Sequence, residues 1–296
     1  MNARNFAVRI GLVVALALTS FTAWAGGDSE VRKQAEASMV LTGSVEVNLD
    51  GSLRSYQLDQ PEKIDPSIRD FLDRNIKAWS FAVDSLPQGV SAPATVLNSM
   101  SILVVAKPLD GDTYTLQLAA SYFSPKDPEP GTEIAYKAIK APRYPDEAVR
   151  ARVGGKVFLV VKVAADGTVD DAMTEQVNLN AVAHNEKEME RWRAVLANAA
   201  LKAVKRWTFV VPTRGKEAGQ PFFLARVPVE YEINPKKQEE YGKWAPYVRG
   251  PRHANQWEQA NKNPGFAPDA VAANGGVYSN AGLRLKSPLQ GSANGG

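Results

Sequence analysis

Two histidines and no cysteine leave this 296-residue sequence few side chains with which to do chemistry. His184 stands near Glu186 and Glu188, types that ligate transition metals. Such a site needs three or four converging ligands, and no second histidine is close, so a solvated loop histidine is the better reading. His253 is isolated in a Gly- and Asn-rich stretch. Gly154-Gly155-Lys156 carries the lysine of a phosphate loop, but Val157 follows where a hydroxyl should bind the cation, and the upstream glycine is missing. No Gly-x-Ser-x-Gly elbow is present. Asp170-Asp171 follows a turn and reads as solvated surface. Without cysteine there is no disulfide framework, thiol catalysis, zinc–thiolate site or thioether lipid anchor. The expectation is a non-catalytic protein with no cofactor and no metal.

The elements that position the remaining residues divide by composition. Hydrophobic residues make up 44% and charged residues 23%, ordinary globular usage. Formal charge is only +3, too diffuse for a nucleic-acid footprint. Arg4 and Arg9 precede an apolar run over residues 10–21, then Ala23-Trp24-Ala25 and Gly26-Gly27. That is the layout of a cleavable export signal over residues 1–25, cut after Ala25. Residues 10–25 fall short of the ~20 that span a bilayer core, so the expected product is soluble and periplasmic. Residues 235–296 hold eight basic and four acidic residues and nine of the 22 glycines. With no period of 2 or 3.6, this reads as a disordered basic tail. Residues 124–131 contain three prolines, a density that no helix or central strand tolerates, and read as a linker.

Between linker and tail the signals are clear. Tyr144-Pro145-Asp146 opens a short helix that Gly154-Gly155 stops. Residues 156–165 alternate Val157, Leu159, Val161 and Val163 on one face, Asp166-Gly167 supplies a hairpin turn, and residues 168–176 return. Met189, Trp192, Leu196, Ala200 and Val204 make one stripe of a helix over residues 186–206. Trp207-Thr208-Phe209 leaves that helix extended. A last strand over residues 222–233 puts Phe223, Ala225, Val227, Val229, Tyr231 and Ile233 on one face. Helix, hairpin, helix, strand predicts an α+β fold, an antiparallel sheet with helices on one face. Trp207, like Trp79, is best read as a core anchor where a helix meets a strand.

In order and near-family spacing, Pro142-x-Tyr144-Pro145-x-x-Ala148, Gly155-x-Val157, Asp166-Gly167, Ala200-x-x-Ala203-x-x-x-Trp207-x-Phe209 and Val227-Pro228-Val229 resemble the TonB C-terminal domain. The resemblance covers residues 136–234, with residues 178–187 resembling an insertion. It implies a periplasmic module that grips an extended peptide of an outer-membrane transporter or other envelope protein by strand addition, touching membrane only through that partner. A sheet edge offers unpaired N–H and C=O groups to any extended peptide. A second copy of the chain is a further partner of the same kind; nucleic acid is not. The candidate partner-binding edge is Val229, Tyr231 and Ile233. Departures from the family pattern are the short, histidine-free N-terminal run, the missing Pro-rich spacer, Ala141 ahead of the Pro-x-Tyr-Pro motif, and Pro235 after the last strand. They set against strand addition two alternatives, a structural envelope component with no free edge and an energy transducer with an uncleaved anchor.

The stretch before the linker reads as a worn copy. Leu41, Gly43, Val45, Val47 and Leu49 alternate, Asp50-Gly51 supplies the turn, Ile68, Phe71, Leu72 and Ile76 make a helical stripe, and Trp79-Ser80-Phe81 echoes Trp207-Thr208-Phe209. Strands over residues 102–106 and 113–123 follow, the second after Asp110-Gly111. The expected organisation is thus two TonB-like modules, residues 37–123 and 132–234, joined by the linker over residues 124–131 and followed by the tail.

Overall fold

Two Asp-Gly turns fix the architecture. In the computed structural model, which describes residues 7–8, 31, 33–83, 95–108, 114–233, 240–257, 265–271, 276–278 and 283–289, each turn joins a hairpin. The first joins β2 (Ala35–Asn48) to β3 (Leu53–Leu58), the second β8 (Gly155–Ala164) to β9 (Val169–Leu179). The Asp50 carboxylate accepts from Ser52 N at 2.8 Å, and that of Asp166 from Thr168 N at 2.9 Å. Gly51 and Gly167 have φ of +87° and +84°, which glycine alone adopts without strain. A Cβ on either would lie 2.1 or 2.2 Å from the carbonyl oxygen of Phe81 or Phe209. Each turn is thus pinned against the strand that leaves the following helix, and Phe81 N and Phe209 N donate to Gly51 O and Gly167 O, both at 2.8 Å.

Those helices form where the apolar stripes predict. In α1 (Pro66–Ile76), Asp65 caps the first turn by accepting from Ser67 N, and Pro66 supplies a helical φ. Ile68, Phe71, Leu72 and Ile76 are buried. A single turn, α2 (Asp146–Arg150), buries Ala148. In α3 (Glu186–Val204), Asn185 caps Glu188 N, and Met189, Trp192, Leu196, Ala200 and Val204 face the sheet. β9 runs on to Leu179, so the stretch read as an insertion is partly strand. The strands after the helices are β4 (Phe81–Ala82) and β5 (Thr95–Pro108) in the first half, β10 (Thr208–Val210) and β11 (Phe222–Tyr231) in the second. β6 (Tyr114–Pro125) and β7 (Ala135–Ala138) lie between the halves. Asp110-Gly111 and most of the export signal lie outside the described residues; from the latter only β1 (Ala7–Val8) is placed, paired with Thr115 and Tyr114.

One antiparallel sheet of nine strands runs through both halves in the order β1-β6-β5-β2-β12-β9-β8-β11, with β3 also on β2. Its joint, β12 (Ala245–Val248), comes from the region expected to be disordered. It pairs with residues 35–38 of β2 and, through Val248, with Leu179 of β9. α1 covers one face of the first half and α3 one face of the second, each over its own apolar core. A third cluster lies on the other side of β5 and β6, where Leu103, Val105 and Tyr122 meet Tyr247, Phe266 and Val271. Tyr122 on β6 and Arg226 on β11 both lie against the Phe266 ring, at 6.1 and 4.8 Å, so the two ends of the sheet approach each other across the tail.

The solvated-tail expectation therefore fails for the described parts of residues 235–296. Single apolar residues insert into surfaces that the two halves have already built, so no periodic element of their own is required. The last strand, β13 (Arg284–Leu285), pairs with β4 as β7 pairs with β10. Leu283, Leu285 and Leu289 join the first core. Leu285 is 1% exposed. Its truncation in Leu285→Ala is expected to cost ~2–5 kcal/mol in urea unfolding, whereas a solvated tail would tolerate it within about 0.5 kcal/mol.

Candidate functional site

β11 ends the sheet, and its pairing decides which groups face outward. It runs antiparallel to β8 from Phe222↔Ala164 to Tyr231↔Gly155. Arg226 N donates to Tyr278 O at 2.8 Å and Tyr278 N to Arg226 O at 3.0 Å, on the side away from β8. Main-chain direction alternates with a period of two along a strand. Leu224, Pro228 and Glu230 therefore share the outward set with Arg226, while the odd-numbered residues bond to β8. Pro228 consequently removes no ladder hydrogen bond, which is why a proline is tolerated here.

This parity relocates the edge expected at Val229, Tyr231 and Ile233. Val229 and Tyr231 are buried in the second core, and their main chains turn inward to β8. Ile233 is exposed beyond the end of the strand. Side chains facing the helix belong to residues whose amides face β8, so the apolar alternation marks the core and not the edge. The outward groups belong to the intervening residues, among them Glu230, whose carboxylate pairs with Lys156 at 3.1 Å.

The family-motif residues fall in two groups with structural roles, Tyr144 and Gly155 beside Tyr231 of β11, and Asp166, Gly167, Trp207 and Phe209 at the far end of the β8–β9 hairpin. The Tyr144 hydroxyl donates to Val153 O at 3.0 Å, and its ring meets that of Tyr231 at 5.3 Å. Burial, with the Glu232 charge nearby, pushes the Tyr144 phenol up to about 12. Pro142 and Pro145 hold the chain extended into α2, and Ala148 is fully buried. A Cβ on Gly155 would lie 2.2 Å from Asn178 O. Trp207 Nε1 donates to Lys140 O at 2.9 Å, and the Tyr136 ring stands edge-on to the indole at 5.8 Å, next to Phe209. Asp166 and Gly167 form the turn already described. Satisfied hydrogen bonds and close packing leave these groups positioned as scaffold.

The charged groups that sequence reading missed lie on the face opposite α3. A bulge opposite Phe158 turns both Glu175 and Gln176 toward the tail. Glu175 takes Arg226 Nε at 3.0 Å and Arg252 Nη2 at 2.9 Å, and its freed carbonyl accepts from His253 N. Asp269 accepts from Gln176 Nε2 at 3.0 Å and the Tyr247 hydroxyl, and pairs with Arg249 Nε at 2.9 Å. Burial and the adjacent Asp269 charge push the Tyr247 phenol well up. Both carboxylates are 2% exposed and fully engaged, so neither is placed to transfer a proton. The adjoining cleft, lined by Phe158, Asn178, Glu230, Tyr231 and Tyr247, encloses about 70 Å³. That is far below the roughly 300 Å³ at which small-molecule sites begin. Among the described residues no three His, Asp or Glu side chains converge, and His184 only donates its amide to Glu188. The sole signal that could have found the network was its composition, arginines in a tail and acids in a strand.

Comparison with known proteins finds relatives that bear the TonB name. A protein named Protein TonB from Xanthomonas campestris pv. campestris (strain B100) is 33% identical over 104 residues, 34% of this chain and 39% of the relative. The Pseudomonas aeruginosa protein named Protein tonB2 is 31% identical over 105 residues, 36% of this chain and 33% of the relative. About a third of the chain is TonB-like. The chain spans about two fifths or less of the length of these curated relatives. No family model and no solved structure matches it.

Neutralising one acid of the network tests whether it holds the TonB-like sheet to the tail. Glu175→Gln leaves Arg226, itself 4% exposed, short of its counter-charge. Such uncompensated buried charge costs ~3–5 kcal/mol. Urea unfolding is expected to show a loss of that order; a change below about 1 kcal/mol, ordinary for an exposed pair, would contradict it.

Proposed function

We propose that this chain is a non-catalytic, TonB-like protein of the bacterial envelope that binds an extended segment of another envelope protein, an outer-membrane transporter among them, by adding it as a strand to β11. The observation that carries the reading is the place of β11: it is the terminal strand of the described sheet, with one face in the second core and with the motif residues Tyr144 and Gly155 beside its last residue, Tyr231. Such an edge supplies main-chain pairing for affinity and alternate side-chain contacts for selectivity. The names of the relatives support the partner class, and the small cleft argues against a small-molecule ligand. Export to the periplasm with cleavage after Ala25, and contact with the membrane only through the partner, belong to the same reading. No described helix is long and apolar enough to cross a membrane.

The first half is proposed to be a degenerate copy of the second. Support comes from the turn contacts and from the shared path of hairpin, helix, Trp-x-Phe and closing strand. Ser52↔Ser80 and Thr168↔Thr208 are bridges at matching places. A structural envelope component without a free edge is the rival reading, favoured by the Tyr278–Arg226 bridge on β11.

A photo-crosslinking residue at Phe222 or Ile233, flanking the outward-facing residues 224–230 of β11, tests the proposal in cells, with Lys202 on the exposed side of α3 as control. Expected are adducts at the two flanking positions whose mapped peptides are extended segments of an outer-membrane transporter, and none at Lys202. Absence of adducts at both flanking positions, or equal labelling at the control, would favour the structural component.

A further inference from the structure

Internal correspondence shows what belongs on the outer side of β11. Asn48 N donates to Ser52 O and Ala164 N to Thr168 O, both at 2.9 Å, so Asn48 and Ala164 hold the same place in their hairpins. Their partners on the closing strands are Thr95 and Phe222. Four residues further on stand Ser99 of β5 and Arg226 of β11, which therefore correspond. The cores agree: Met100, Ile102 and Val104 occupy the places of Val227, Val229 and Tyr231.

In the first half the outer side of β5 is filled. β6 pairs with it antiparallel from Asn98↔Pro125 to Pro108↔Tyr114, with Ser124 opposite Ser99. In the second half the residue opposite Arg226 is Tyr278, also antiparallel. Among the described residues, the tail thus pairs one residue, Tyr278, where the first half puts a strand of twelve residues. That residue is tethered on both sides: Asp269 is held by the buried network, and Lys286 N donates to Ser80 O at 2.8 Å. The Tyr278 ring packs on Tyr122 at 5.4 Å.

Resting on the strand-addition reading above, we infer that the outer side of β11 is a strand-accepting surface held closed by the chain's own Tyr278. An extended partner segment enters by displacing this bridge, while the buried anchors on either side keep the tail attached. The two main-chain hydrogen bonds between Arg226 and Tyr278 break, and main-chain bonds to the incoming strand replace them. The partner is an extended peptide with apolar residues at alternate positions, the pattern of β6, whose Leu116 and Leu118 lie buried against the first core.

The test uses the full mature chain. Tyr278→Pro removes the N–H that Arg226 O accepts and leaves both anchors; Tyr278→Phe keeps ring and N–H. The probe is a labelled synthetic peptide of residues 116–124. In the wild type, the Arg226 amide should exchange by local opening, roughly 100-fold faster than the Val227 amide that bonds to β8. Tyr278→Pro should raise Arg226 exchange and probe affinity by about tenfold or more, with Tyr278→Phe matching the wild type. Equal protection of Arg226 and Val227 in the wild type would overturn the inference without recourse to any variant. So would probe binding that is the same in Tyr278→Pro and wild type. Probe capture by Tyr278→Pro without envelope adducts at Phe222 would instead remove the transporter reading and leave the closed edge standing.

Discussion

The structure turns on two buried carboxylates, Glu175 and Asp269, and the guanidinium groups brought to them. A carboxylate taken out of water costs several kcal/mol unless charge and hydrogen bonds replace the lost hydration. Here the replacements come from both sides of a joint. β9 and β11 contribute Glu175, Gln176 and Arg226, and the C-terminal region contributes Tyr247, Arg249, Arg252 and Asp269. Each carboxylate has one guanidinium from its own side, Glu175 from Arg226 and Asp269 from Arg249. A further donor comes from across the joint, Arg252 for Glu175 and Gln176 for Asp269, so the C-terminal region is bound into the sheet and not laid upon it. From that joint β12 follows: held beside Glu175 and Asn178, it reaches β2 on one edge and β9 on the other and makes one sheet of two halves.

The same constraint explains why the two helix-bearing units differ. Both units bury one sheet face under a helix, and both need their opposite face covered. The first is covered by Phe266, Ala270 and Val271 of the tail, whereas the second presents Glu175, Gln176 and Asn178, which Arg252, Asp269 and Gly250 of the tail engage. Leu283, Leu285 and Leu289 likewise complete the first core, although they lie far beyond its helix and strands in the chain. Strand β13 does beside β4 what β7 does beside β10, although β7 precedes its hairpin and β13 follows at the far end of the chain.

How much of this was legible follows the range of the interactions. Hairpins and helices announce themselves because their signals are local: Asp-Gly with the residue after it, the apolar stripe of α3, the Trp-x-Phe exit. Their predicted limits agree with the structure to within a few residues, except that β2 begins at Ala35, well before the alternation read from Leu41, and β5 is far longer than the strand expected over residues 102–106. The TonB-like motif residues take structural places at the two ends of β8, Tyr144 and Gly155 beside Tyr231, and Trp207 and Phe209 beside Tyr136 and the Gly167 turn. The tail misled because its burial is non-local, with each apolar or charged residue docking on a surface built by distant sequence. The edge misled for a subtler reason: side-chain and main-chain directions both alternate with a period of two, and the eye follows the side chains. Val229 and Tyr231 stand out as apolar because they are core, and the groups able to pair with a partner belong to their neighbours.

Function, on this account, depends on a C-terminal region that is both a structural member and the occupant of the sheet edge. Amide hydrogen exchange of the wild-type chain addresses that claim most directly, because the acceptors of the tail's ordered amides are known. Gly250 N bonds to Asn178, His253 N to Glu175, Tyr278 N to Arg226 and Lys286 N to Ser80. Gly250, His253 and Lys286 should be protected nearly as well as the central strands β2 and β8, with Tyr278 protected less. Exchange of all four at the rate of an unstructured peptide would contradict it.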